Sequence, residues 1–145
     1  MNLDGLKKKK EEIPAGYASF EGKFSAKLAY TPRSEMQKII KRCKKTVYKK
    51  HQPTEEVDSD RLYEELAKKI LGWDGLTVGV VATMIPINVP EGKEDAEVPC
   101  TEANKLTLLK DAYYFDTFVQ EASTDLSMLK EEREEGNSGS GPGTT

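Results

Sequence analysis

Histidine is nearly absent from this sequence, cysteine is scarcely commoner, and no apolar run is long. His51 is the only histidine, and Cys43 and Cys100 are the only cysteines. Neither cysteine has a Cys or His neighbour at metal-ligand spacing, which argues against a zinc site or a disulfide framework. Two distant cysteines read most simply as reduced thiols, with Cys43 a small core residue on an apolar stripe. No apolar stretch approaches the ~20 residues that span a bilayer, so no membrane segment is expected. Met1–Glu12 is charged and lacks the apolar centre of a signal peptide, so the chain is expected to stay in the compartment where it is made. Gly-rich phosphate loops, dinucleotide fingerprints and HExxH zinc motifs are also missing. Carboxylates are plentiful, but most fall on the solvent faces of predicted helices, and a histidine-based triad would depend on His51 alone. These absences lead us to expect no enzyme, no cofactor and no metal.

What the sequence does have is charge, and it is segregated. Charged residues are 32% of the 145 and hydrophobic ones 37%, the balance of a solvated chain with one core. Net charge is only −3, yet between Arg33 and Lys50 eight basic residues face one acid, Glu35. Between Glu55 and Glu65 six acids face Arg61, and Glu131, Glu132, Glu134 and Glu135 follow near the end. A basic element thus precedes acidic ones.

Residues 1–14, with the run Lys7–Glu12, offer little to anchor to a core and read as a mobile charged arm. Tyr17–Phe20 and Phe24–Tyr30 flank Glu21-Gly22, and in the second segment Phe24, Ala26, Leu28 and Tyr30 alternate with Ser25, Lys27 and Ala29, the pattern of a short hairpin with one buried face. Thr31-Pro32 opens a helix with Thr as cap. Met36, Ile39, Ile40, Cys43 and Val47 recur at helical spacing, so this helix is expected to run until just before Pro53. His51 would sit at its exposed end, near the last carbonyls. A second helix begins at Asp58-Ser59, buries Leu62, Leu66 and Ile70, and stops at Gly72. Trp73-Asp74-Gly75 then makes a tight structural turn, with the indole plugging the core. Residues 77–84 suit either a strand, by their valines, or a short helix capped by Thr77; the cap favours the helix. Residues 85–100, with three prolines among acids, form a loop. Thr101 caps a last helical region in which Leu108, Ala112, Phe115, Val119, Ala122, Leu126 and Leu129 form a heptad-like seam. Residues 136–145 are a flexible Gly/Ser/Pro tail. The expected fold is therefore mainly α with a short N-terminal β-hairpin, an α+β arrangement in one small domain over 15–135.

Two surfaces stand out as candidate binding sites. Phe115, Phe118, Val119 and Leu126 either pack into the domain or receive a partner. Lys38, Lys41, Arg42 and Lys45 form a basic face that is either solvated or pairs with acids of a sister subunit, such as Glu55, Glu56, Glu131 and Glu132. Nucleic acid is disfavoured by the pI near 5.4 and by the lack of an aromatic stacking platform.

In order, the segments GKFSAKLAYTPRSEM, LGWDGLT and VPCTEANKLTLLKDAYYFDTFVQEASTDLSMLKEE resemble the tail assembly chaperones of long-tailed, siphovirus-type bacteriophages. In similar proteins a Trp-x-Gly-Leu-Thr turn, here Trp73 to Thr77, precedes an aromatic helix like the one holding Phe115, Phe118 and Val119. The likeness spans roughly residues 17–132. It departs at Val78-Gly79-Val80, where the family often carries acidic or amide residues. The resemblance implies a non-enzymatic protein of the host cytoplasm, absent from the mature virion. It would keep the tape measure protein soluble, recruit tail tube protein subunits, and self-associate as a homo-oligomer, often an open spiral. Many such chaperones are also made in a longer, frameshifted form. The competing readings are a small structural or adaptor protein forming a closed oligomer, and a nucleic-acid-binding regulator.

Overall fold

The computed structural model describes residues 2–7 and 14–131. Half of the expected arm, residues 1 and 8–13, and all of the expected tail fall outside them. After a 3₁₀ turn at Leu3–Leu6 come β1 (Ala15–Phe20), β2 (Phe24–Ala29), α1 (Arg33–Arg42), β3 (Lys44–Lys49), β4 (Gln52–Val57) and α2 (Ser59–Ala67). β5 (Ile70–Asp74), α3 (Val78–Ala82), α4 (Glu102–Asp111) and α5 (Tyr113–Thr124) complete the fold.

The first hairpin forms where its alternation places it. β1 and β2 pair antiparallel with Ala18 opposite Ala26 and Phe20 opposite Phe24. Glu21 and Gly22 turn the chain at φ of 51° and 73°. Side chains directly opposite share a face of a sheet. Phe24, Ala26 and Leu28 therefore point together into the core, and all are buried. On the other face Lys27 reaches over the Tyr17 ring, 5.8 Å from its centroid.

The expected fold class needs correction. Among the described residues the fold has five strands in two antiparallel sheets, and strand makes up 26% of the structure. β5 joins β2 as a third strand, giving the order β1-β2-β5. Ala26 lies opposite Trp73, and a register shift between Lys27 and Leu28 leaves Leu71 as a bulge. Ile70, read as part of a helical stripe, is thus a strand residue. α2 ends at Ala67, ahead of the expected stop at Gly72. A local pattern cannot reveal this, because β5 becomes a strand only by pairing with β2, which is distant in sequence.

The second correction concerns the basic helix. It ends at Arg42, and Lys44–Lys49 and Gln52–Val57 form a separate two-stranded sheet. Thr46-Val47-Tyr48 is a β-branched and aromatic run that favours strand, and this wins over the helical phase of Val47. Lys50 and His51 make the turn with φ of 53° and 67°, the left-handed pair of a type I′ hairpin turn usually given to Asn and Gly. His51 is therefore a turn residue and does not end a helix. The N-terminal cap differs too. Pro32 occupies the cap position without a side-chain bond, while the buried Thr31 donates to the Ala29 carbonyl.

Helices α4 and α5 replace the single heptad-bearing element, broken at Ala112 in extended geometry (φ −107°, ψ 97°). The break lets α4 lie against α2 while α5 crosses β2. An aromatic cluster fills the contact between α5 and the sheet. Phe115 stacks on Phe24 at 6.1 Å and meets Trp73 edge-on at 6.1 Å. Phe118 meets Phe20 edge-on at 5.2 Å. Trp73 is buried, and its indole N–H donates to the Val98 carbonyl at 2.7 Å, so the polar tip of a core aromatic is satisfied. Gly75 follows at φ 80°, a left-handed position that suits glycine, and its N–H donates to Glu97 Oε1 at 2.7 Å.

Candidate binding surfaces

The four apolar partner-binding candidates divide sharply. Phe115 and Val119 are fully buried and Phe118 is 7% exposed, so all three are spent on the core. Leu126 is 52% exposed. It lies in a 3₁₀ turn just after α5, where the heptad seam outruns the helix.

Leu126 borders a groove of about 600 Å³ between α1 and the end of α5. On α1 the half-buried Ile40 contributes apolar surface above the buried Met36, one turn away, and Arg33, Gln37, Gln120 and Thr124 contribute polar groups. Much of the polar rim is already bonded within the chain. Gln120 Nε2 donates to Asp116 Oδ1 at 3.0 Å, and the Thr124 hydroxyl donates to the Gln120 carbonyl at 3.1 Å. The Ser127 hydroxyl donates to Asp125 Oδ1 at 2.6 Å. The groove is tied in place at one end, where the Thr31 N–H donates to the Ser123 carbonyl at 2.8 Å. Its chemistry suits a few apolar side chains carried on one face of a helix. A smaller cavity of about 200 Å³, lined by Val78, Val81, Ile85, Val98 and Leu108 among others, lies beside α3.

The charged candidates lie mostly along α1 and the β3–β4 arm. Lys38 and Lys41 are exposed on α1. Arg42 is engaged within the chain, its Nη2 2.9 Å from Glu65 Oε1. Lys45 lies directly across the arm from Glu56, and Lys49 Nζ is 2.5 Å from Glu56 Oε2. Hydrogen bonding from Lys49, reinforced by its charge, holds the Glu56 carboxyl below its ordinary pKa. Lys68 and then Arg42 do the same for Glu65, against the opposing effect of burial. Glu55, opposite Thr46, is exposed, as is Glu131. Glu132 lies outside the described residues. The structure thus brings Lys45, Lys49 and Glu56 together within one arm.

The arm itself was not foreseen in the sequence. Each strand has six residues, and nearly all of them are exposed. Opposite positions give one face with Lys44, Thr46, Tyr48, Pro53, Glu55 and Val57. The other carries Lys45, Val47, Lys49, Gln52, Thr54 and Glu56. Tyr48, beside the turn, is 71% exposed. The β-rich run Thr46–Tyr48 was the one sequence signal for it.

The structural turn residues are a matter of architecture: Trp73 and Asp74 end β5, and Gly75 follows. Both cysteine thiols have their pKa raised by burial, which favours the neutral, less nucleophilic form. Among the described residues no group of three or more His, Cys, Asp or Glu could hold a metal ion, and no helix is long and apolar enough to cross a membrane. No family model, curated protein or solved structure matches the chain.

Proposed function

We propose that this chain is a tail assembly chaperone that receives an amphipathic helical segment of a tape measure protein in the groove between α1 and α5. The carrying observation is that groove, where the half-buried Ile40 and the exposed Leu126 present apolar surface between polar flanks over the buried Met36. A long helical client exposes apolar stripes that aggregate unless covered. A groove bordered by two helices covers such a stripe by the helix-in-groove mode. One groove spans only a short part of a long client, so several copies act along it, and tail tube subunits displace them as the tube forms. On this reading the chain acts in the host cytoplasm and leaves before the virion is complete. The resemblance in the Trp73–Thr77 turn and the aromatic helix supports it independently of the groove.

Co-expression with the tape measure protein of the same genome tests the proposal. The client should move from the insoluble to the soluble fraction and be recovered in complex with this chain. Leu126→Glu should abolish that recovery with unchanged helicity, because Leu126 lies outside the core. A client equally soluble alone, with no complex recovered, overturns the proposal in favour of an adaptor that has no client.

A further inference from the structure

On the reading that several copies line one client, we infer that the β3–β4 arm of one copy docks on the acidic α3–α4 loop of the next. Charge separation within the chain is the first support. Residues 33–57 carry eight cations against three acids, a surplus of five; with the chain at −3, the remainder carries −8. Lys38, Lys41, Lys44, Lys45 and Lys50 are exposed. None of them is among the six ion pairs formed by the described residues. The arm itself, residues 44–57, holds four lysines against Glu55 and Glu56, and with the neighbouring cations of α1 it forms a basic element on an otherwise acidic protein.

The acceptor is displayed in an ordered way. Glu91, Glu94 and Asp95 are exposed and also stand outside those ion pairs. Their loop is held by backbone bonds. Val78 N–H donates to the Ala96 carbonyl and Gly79 N–H to that of Glu94, both at 2.9 Å, and Val98 N–H donates to that of Leu76 at 2.8 Å. A fixed loop loses little conformational freedom when it is bound. Among the described residues no ion pair or side-chain hydrogen bond joins the arm to this loop within one chain.

The arm's edges favour contact through its faces. Lys44, Lys45 and Lys49 line β3, and Pro53, Glu55 and Glu56 line β4. Antiparallel pairing of β3 with β3, or of β4 with β4, would set like charges against each other, a device that blocks edge-to-edge assembly. A nucleic acid fits less well than a second copy. Glu55 and Glu56 interrupt both faces of the arm, the −8 remainder repels phosphates, and Tyr48 is the one aromatic on the arm. Arm and loop are different patches, so the contact is heterologous and continues from copy to copy unless its rotation closes a ring.

Charge reversal in the full chain, without client, tests the contact by sedimentation velocity. Wild type should associate at low salt and dissociate at high salt. Lys44/Lys45/Lys50→Glu and, separately, Glu91/Glu94/Asp95→Lys should each weaken association by roughly tenfold or more, as several exposed pairs lost together would. All six positions are exposed, and circular dichroism checks that each variant folds. An equimolar mixture of the two variants should regain association, because each then supplies the charge the other lacks. A wild-type monomer at every concentration overturns the inference, as does a mixture no better than either variant alone. So does loss of binding to a labelled oligonucleotide in the arm variant with self-association unchanged. Client solubility, scored separately with wild type, reports on the chaperone reading whatever the sedimentation result.

Discussion

The described residues contain two antiparallel hairpins, and they are held together in different ways. β1–β2 turns one face to the core, pairs with β5, and lies beneath Phe115 and Phe118 of α5. Among the described residues β3–β4 has no third strand, and it exposes both faces. Its order comes from the turn, the ladder and the charge pair across it. An isolated two-stranded ribbon is marginal in water, whereas a strand covered by a helix gains from each apolar group removed from water. The same secondary structure thus belongs to a stable body in one case and to an adaptable surface in the other, and local opening should be far easier in the arm.

The largest test of that contrast is Trp73→Ala. The indole is buried against Phe115 and bonded to Val98, so its loss should cost about 3–5 kcal/mol, as large aromatic core deletions do. A lowered denaturant midpoint checks it; an unchanged midpoint would mean that the body does not depend on this cluster. A smaller change sharpens the other side. Replacing Lys50-His51 by Asn-Gly removes two non-glycine residues from left-handed geometry. This should steady the arm by about 1 kcal/mol. Amide exchange should slow in residues 44–57 and stay the same in β1, β2 and β5; slowing in both hairpins would show that they open as one unit. The smallest effect is electrostatic. The Glu56 pKa lies below the ordinary 4.5 because of Lys49. The resulting stabilisation is fully present above 4.5 and fades as pH falls through the lower folded value. Arm amides should exchange faster across that window once intrinsic rates are divided out, and Glu56→Gln should remove the dependence. The pair is exposed, so the change should be slight.

The two hairpins also differ in how far they could be read from the sequence. Phe24, Ala26 and Leu28 alternate because one face is buried, and burial leaves a mark on composition. The arm buries neither face, and its Lys50-His51 turn lacks the usual Asn or Gly, so only Thr46–Tyr48 marked it. Meanwhile Met36, Ile39, Ile40 and Cys43 kept a helical phase that Val47 happened to extend. Local caps were legible: Asp58, Thr77 and Thr101 each accept a bond at the start of α2, α3 and α4. β5 and the break at Ala112 were not, since both answer to distant partners. Of the candidate site, apolar character was visible at Phe115, Phe118, Val119 and Leu126, but which of them stays outside depends on where α5 ends over α1. The charges were visible as well; that Lys49 and Glu56 face each other across a turn was not.

The root of the arm has a consequence for how such a protein can diverge. Asp58 N–H donates to the carbonyl of the buried Cys43 at 2.5 Å, and Lys44 and Val57 face each other just above that bond. The chain therefore leaves the body and returns to it at almost one point. Adding or deleting opposed pairs two rungs at a time would lengthen or shorten the ribbon with its faces preserved and α1 and α2 undisturbed. The ribbon is thus an interchangeable part, whose reach and charge can drift to match a changing neighbour while the body that carries it stays the same.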